Sequence, residues 1–140
     1  MIPMVEKILF LKGIDLFEKI PAEELSPIAS IAEEVSKNQN EVVFNEGDEG
    51  DALYLIVDGR VKVHSGDTIF VELGEGTCFG EMAILDTEPR SASITALENL
   101  VLLRISRDDF SELLVEKPEI ARGILLVLTH RLREANKRAS

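Results

Sequence analysis

The chain has 140 residues, 45% of them hydrophobic and 29% charged, which suits one compact domain with a real core and excludes a disordered segment. A net charge of −11 argues against nucleic-acid binding by this chain, and no apolar run is long enough to insert into a membrane. The single cysteine, Cys78, excludes an intramolecular disulfide and a zinc-type cysteine pair, and reads as a small buried hydrophobe. Glu6, Lys7 and Lys12 interrupt the N-terminal apolar residues, so no signal peptide is expected and the cytoplasm is the expected compartment. Any anion site must rely on local donors, because the global field opposes it.

Val5, Ile8 and Leu9 fall at helical spacing between Pro3, a starter, and Gly13, a stop. Ile14, Leu16, Phe17 and Ile20 form a short apolar turn that plugs onto a core. Leu25, Ile28, Ala29, Ala32 and Val35 then make one helical stripe, with a restart or kink expected at Ser26-Pro27. The periodicity changes at Lys37. Val42-Val43-Phe44 is β-prone and runs into the glycine and acid cluster Asn45 to Asp51, which lacks the spacing of a helix-flanked calcium loop. Ala52 to Val57 and Val61 to His64 read as strands around an Asp58-Gly59 turn, and Thr68 to Leu73 as the next. Ala92 to Ala96 and Leu100 to Ile105 complete a set of short strands that implies an antiparallel sandwich or barrel.

Ser106 can cap a helix with Asp108 and Asp109 in its first turn, and Pro118 starts a final helix. That helix carries Ile124, Leu125, Leu126, Val127, Leu128 and Leu132, more apolar surface than one face needs. Either it meets a second copy of the chain or an effector domain, or it covers more of its own core. Arg131, Arg133, Lys137 and Arg138 read as a solvated helix end rather than a nucleic-acid patch. His64 and His130 stand on different elements with no ligand neighbours, so neither a metal centre nor a catalytic arrangement is suggested. The chain is not expected to be an enzyme.

One stretch interrupts the strands: Phe79-Gly80-Glu81-Met82-Ala83-Ile84-Leu85, followed by Pro89-Arg90-Ser91-Ala92-Ser93. A turn of helix from Gly80 to Leu85 would leave N–H groups unsatisfied and aimed at an anion. Arg90 offers a planar fork for two oxygens of one phosphate, Glu81 an acceptor for a hydroxyl, and Ser91 a further bond to phosphate or base. Gly80 removes side-chain bulk where a ligand must come close. The opposing reading is that Glu81 and Arg90 pair with each other across a loop.

In its order, this stretch resembles the phosphate-binding cassette of the cyclic nucleotide-binding domain family. Members include the sensor domain of bacterial catabolite activator protein and the regulatory subunits of cyclic AMP-dependent kinase. A second block, Phe44, Glu46-Gly47-Asp48 and Leu53 to Val63, is similar to the glycine-punctuated hairpin that precedes the cassette in that family. The resemblance runs from Leu16 to Lys137. It implies a mainly β fold with flanking helices, an eight-stranded, jelly-roll-like β-roll and a long C-terminal lid helix. The expected layout is a single domain over 1–140, with a helical segment at 1–36, the roll at 37–106, the cassette at 79–93 and C-terminal helices at 107–140. The implied ligand is a 3′,5′-cyclic nucleotide, cyclic AMP favoured over cyclic GMP, with no prosthetic group. By resemblance Glu81 accepts the ribose 2′-hydroxyl. Arg90 pairs with the cyclic phosphate, aided by backbone N–H groups at Met82, Ala83, Ser91 and Ala92. Val63, Val71 and Leu73 line the pocket, and Asn136 on the lid reaches the base. In family regulators a DNA-binding module begins about where this sequence ends at Ser140, so a sensor fragment of a regulator or transporter is the rival expectation, with a ligand-free interaction module as a third.

Overall fold

The computed structural model describes residues 1–81, 85, 86 and 88–139. The chain forms two compact units: a sheet unit of Met1 and Ile31–Phe110, and a helical unit of Ile2–Ser30 and Ser111–Ser140.

Eight strands occur among the described residues: β1 Glu33–Lys37, β2 Val42–Phe44, β3 Ala52–Asp58, β4 Val61–Ser65, β5 Thr68–Leu73, β6 Cys78–Phe79, β7 Ser93–Ala96 and β8 Leu100–Ser106. They make two antiparallel four-stranded sheets, ordered β1-β8-β3-β6 and β2-β7-β4-β5. This is the β-roll that the family resemblance implied. Strand alternation builds its core. Ala52, Tyr54 and Ile56 of β3 join Leu100 and Leu102 of β8, Phe79 of β6, Val61 of β4, and Ile94 and Ala96 of β7 in one buried cluster. The intervening Leu53, Leu55, Leu103 and Ile105 point to the opposite face and are also fully buried. Each such aliphatic side chain contributes about 1.5–3 kcal/mol on burial. The other sheet ends in β5, whose residues are exposed or half-buried.

In the helical unit, α1 spans Met4–Lys12 between Pro3 and Gly13, as expected. The 3-10 turn Asp15–Phe17 buries Leu16 and Phe17 and packs on α4, Pro118–Ala139. There Gly123 permits close approach: a Cβ would lie 2.8 Å from both Ile20 Cγ1 and Lys19 O. A second 3-10 turn, Ala22–Glu24, leads into α2, Leu25–Ile31. Pro27 sits in the first turn of α2, where a missing N–H costs nothing. The helical stripe ends earlier than its spacing predicts. Val35 lies on β1 opposite Leu102, so the helical segment does not reach residue 36. Pairing with β8 and packing of Val35 against the roll core override a helical period carried by only two residues beyond α2.

Ser106 Oγ accepts from Asp109 N at 3.2 Å, capping α3, Arg107–Glu116. On α4, Ile120, Gly123, Ile124 and Val127 form the buried stripe, whereas Leu125, Leu126 and Leu132 are exposed. The extra apolar surface of this helix is therefore not used on its own core. No helix among the described residues is long and apolar enough to cross a membrane.

Candidate functional site

The acidic turn after β2 fixes the backbone of Arg90. Asp48 Oδ2 accepts from Asn45 N, and Ser93 Oγ on β7 accepts from Glu46 N, both at 2.9 Å. Ser65 Oγ on β4 donates to Glu46 Oε1 at 2.6 Å. The turn thus held donates from Gly47 N to Arg90 O at 2.9 Å and accepts from Arg90 N at Asp48 O, 2.8 Å. A bridge between Glu49 and Pro89 continues the pairing.

The Arg90 side chain is then buried, the residue being 7% exposed. Nη2 donates to Ala52 O at 2.8 Å and Nη1 to Gly80 O at 3.3 Å. Cζ sits 4.0 Å from the centroid of the Phe44 ring, a contact worth about 2 kcal/mol when desolvated. Asp51 Oδ1 is 3.9 Å from Nη2. Burial disfavours the charged guanidinium and lowers its pKa; Tyr54 and Asp51 act in the opposite sense. An arginine stays charged in any case, so its desolvation must be offset by partners. One donor has none: Nε is buried and makes no hydrogen bond among the described residues.

Gly80 makes room for this arrangement. Its φ is +77°, and a Cβ there would stand 2.6 Å from Arg90 Nη1 and 3.2 Å from Ala52 O. The bulk it omits is bulk that would displace the guanidinium.

Arg90 and Glu81 both line a cavity of about 480 Å³ in the sheet unit, within the size range of small-molecule pockets. Val63, Leu73, Gly80, Ser91 and Ala92 also line it, with Phe44, Cys78, Phe79, Asp86, Glu88, Pro89 and Ile94. Among the described residues Glu81 and Arg90 form no ion pair with each other, so the internal salt-bridge reading falls. One expectation changes. Cys78 is half-buried in the cavity wall rather than a core hydrophobe. Val71 lies opposite Val63 but on the open edge strand, 48% exposed, and is not among the lining residues. Asn136 lies on α4 in the helical unit, exposed. The expected helical turn and amide donors at Met82 and Ala83 fall outside the described residues. His64 is half-buried, with Nε2 2.7 Å from Thr95 Oγ1. Sequence reasoning assigned no role to Phe44 or Asp51 beside Arg90; the signal was an aromatic residue opening an acidic turn.

The family model for the cyclic nucleotide-binding domain matches residues 34–117. The chain belongs to this family. A cyclic AMP receptor protein of Thermus thermophilus is 37% identical over 131 residues, covering 90% of this chain and 61% of that protein. A cyclic nucleotide-gated potassium channel of Rhizobium etli is 37% identical over 112 residues, 80% of this chain and 31% of the channel. Among solved structures, the N-terminal domain of a transcriptional regulator from Streptomyces coelicolor superposes with a TM-score of 0.84 at 30% identity, covering 94% of this chain and 95% of that one. The chain thus spans about three fifths or less of these two curated relatives. As a cyclic nucleotide-binding domain, its roll places the cassette residues Gly80, Glu81, Arg90, Ser91 and Ala92 around one cavity.

Proposed function

We propose that this cyclic nucleotide-binding domain is a non-catalytic cytoplasmic sensor that binds 3′,5′-cyclic AMP between β4, β5, β6 and the 79–93 cassette. The observation that carries the reading is that Arg90, a residue of the cavity wall, is buried with its Nε unpartnered among the described residues. A buried donor without an acceptor costs about 1–3 kcal/mol, and a phosphate oxygen would remove that cost. Glu81, half-buried and unpaired with Arg90, takes the ribose 2′-hydroxyl; Val63 and Leu73 pack on sugar and base. Val71 contributes at the open edge, and amides at Met82, Ala83 and Ala92 assist the phosphate.

Binding selects a state in which α4 closes over the ligand and Asn136 reaches the base. Exposed Leu125, Leu126 and Leu132 then couple closure to a second copy of the chain or to an effector domain. The sequence match to a protein named a cyclic AMP receptor favours that nucleotide. Ser91, exposed in the cavity wall, supports cyclic GMP as the second reading, because its hydroxyl can bond a guanine edge.

A competition series with cyclic AMP, cyclic GMP, cyclic di-GMP and 5′-AMP tests this, combined with hydrogen exchange along α4. The expected order puts cyclic AMP first and 5′-AMP last, with slower exchange in the 125–136 segment on binding. Preference for cyclic GMP would move the reading to its second form. Unchanged exchange on α4 at saturation would remove the lid.

A further inference from the structure

A guanidinium can be held in place by hydrogen-bond acceptors or by a surface under its face. Acceptors consume the donors that a phosphate needs; an aromatic face restrains the plane and consumes none. Both devices are present at Arg90. Two carbonyls, of Ala52 and Gly80, take one hydrogen each from Nη2 and Nη1. The ring of Phe44 lies under the group at 4.0 Å, and the Nε donor is uncommitted among the described residues.

The ring itself is well founded. Its centroid is 6.0 Å from Tyr54 and 5.8 Å from Phe79, and those two stack on each other at 5.3 Å with an interplanar angle of 11°. Tyr54 and Phe79 are buried in the roll core, which gives the half-buried Phe44 a rigid support facing the cavity. We infer that Phe44 is a positioning residue for phosphate recognition: its ring fixes the plane of the Arg90 guanidinium and so keeps the Nε–H donor for the ligand. The inference rests on the phosphate role of Arg90 proposed above.

The test uses the full chain with Phe44→Tyr, which keeps the ring, and Phe44→Leu and Phe44→Met, which keep apolar volume and lose it. Affinities are measured for cyclic AMP and for the two phosphorothioate diastereomers, in which one or the other exocyclic oxygen is sulfur. The Arg90 Nε–H resonance is followed by NMR. Both ringless variants are expected to bind cyclic AMP about tenfold more weakly, to lose much of the discrimination between diastereomers, and to show a displaced Nε–H resonance in the free protein. Phe44→Tyr should stay within about twofold of wild type with the same discrimination. Wild-type affinity and discrimination in a folded ringless variant would overturn the inference alone. So would an affinity loss with discrimination and the resonance unchanged, because ordinary packing explains that result. Absence of binding by the wild-type chain would overturn the phosphate reading and this inference with it.

Discussion

Replacing Arg90 with alanine is expected to weaken cyclic nucleotide binding by at least about 100-fold, measured by calorimetry, while the chain stays folded. Hydrogen bonds to a charged group are worth about 1.5–3 kcal/mol each, and the guanidinium fork can give a phosphate two. Ala52 O, Gly80 O and the Phe44 ring offset part of the desolvation of Arg90 in the free protein and hold the group in place, while Nε has no partner among the described residues, so little reorganisation precedes binding. The substitution leaves those two carbonyls short of a donor, and a stability loss of about 1–3 kcal/mol should appear in thermal unfolding. Arg90→Lys keeps the charge but not the planar fork, and should recover only part of the affinity. Near-native affinity in Arg90→Ala would end the phosphate assignment.

The second large effect concerns Glu81. Glu81 lines the same cavity as Arg90 without pairing to it, so the two are free to recognise different parts of one ligand. Wild type should lose about 10- to 100-fold in affinity when cyclic AMP is replaced by its 2′-deoxy analogue, the value of a hydroxyl bonded to a carboxylate. Glu81→Ala should lose a similar factor on cyclic AMP itself, yet bind the deoxy and parent nucleotides within about twofold of each other. An equal deoxy penalty in both proteins would place the 2′-hydroxyl elsewhere. Asp86 and Glu88 are the other carboxylates of the wall, and each can be substituted as a control.

The cassette was legible in the sequence because its chemistry is contiguous. Gly80, Glu81, Arg90, Ser91 and Ala92 lie within one short segment, and the fold returns them to one cavity. What holds Arg90 is not contiguous. Phe44, Asp51 and Ala52 reach it through the register of the sheets and the pinned turn at Gly47 and Asp48, which no local spacing reveals. The same division explains the strands. Alternation and turn residues identified β3, β4, β5 and β8. β1 was read into a helix because Val35 continues the spacing of Ile28 and Ala32, and only pairing with β8 decides otherwise. β6 has two residues, too few for any period to show. Val71 was placed by the resemblance, with which strand alternation agrees; it lies on the edge strand, and among the described residues no further strand beyond it encloses it.

The central claim is that a single cyclic nucleotide occupies the cavity beside Arg90. Calorimetric titration of the wild-type chain with 3′,5′-cyclic AMP tests it most directly. The expected result is a saturable isotherm with one nucleotide per chain, abolished by Arg90→Ala. Absence of saturable heat at millimolar nucleotide, or an isotherm that Arg90→Ala leaves unchanged, would contradict it.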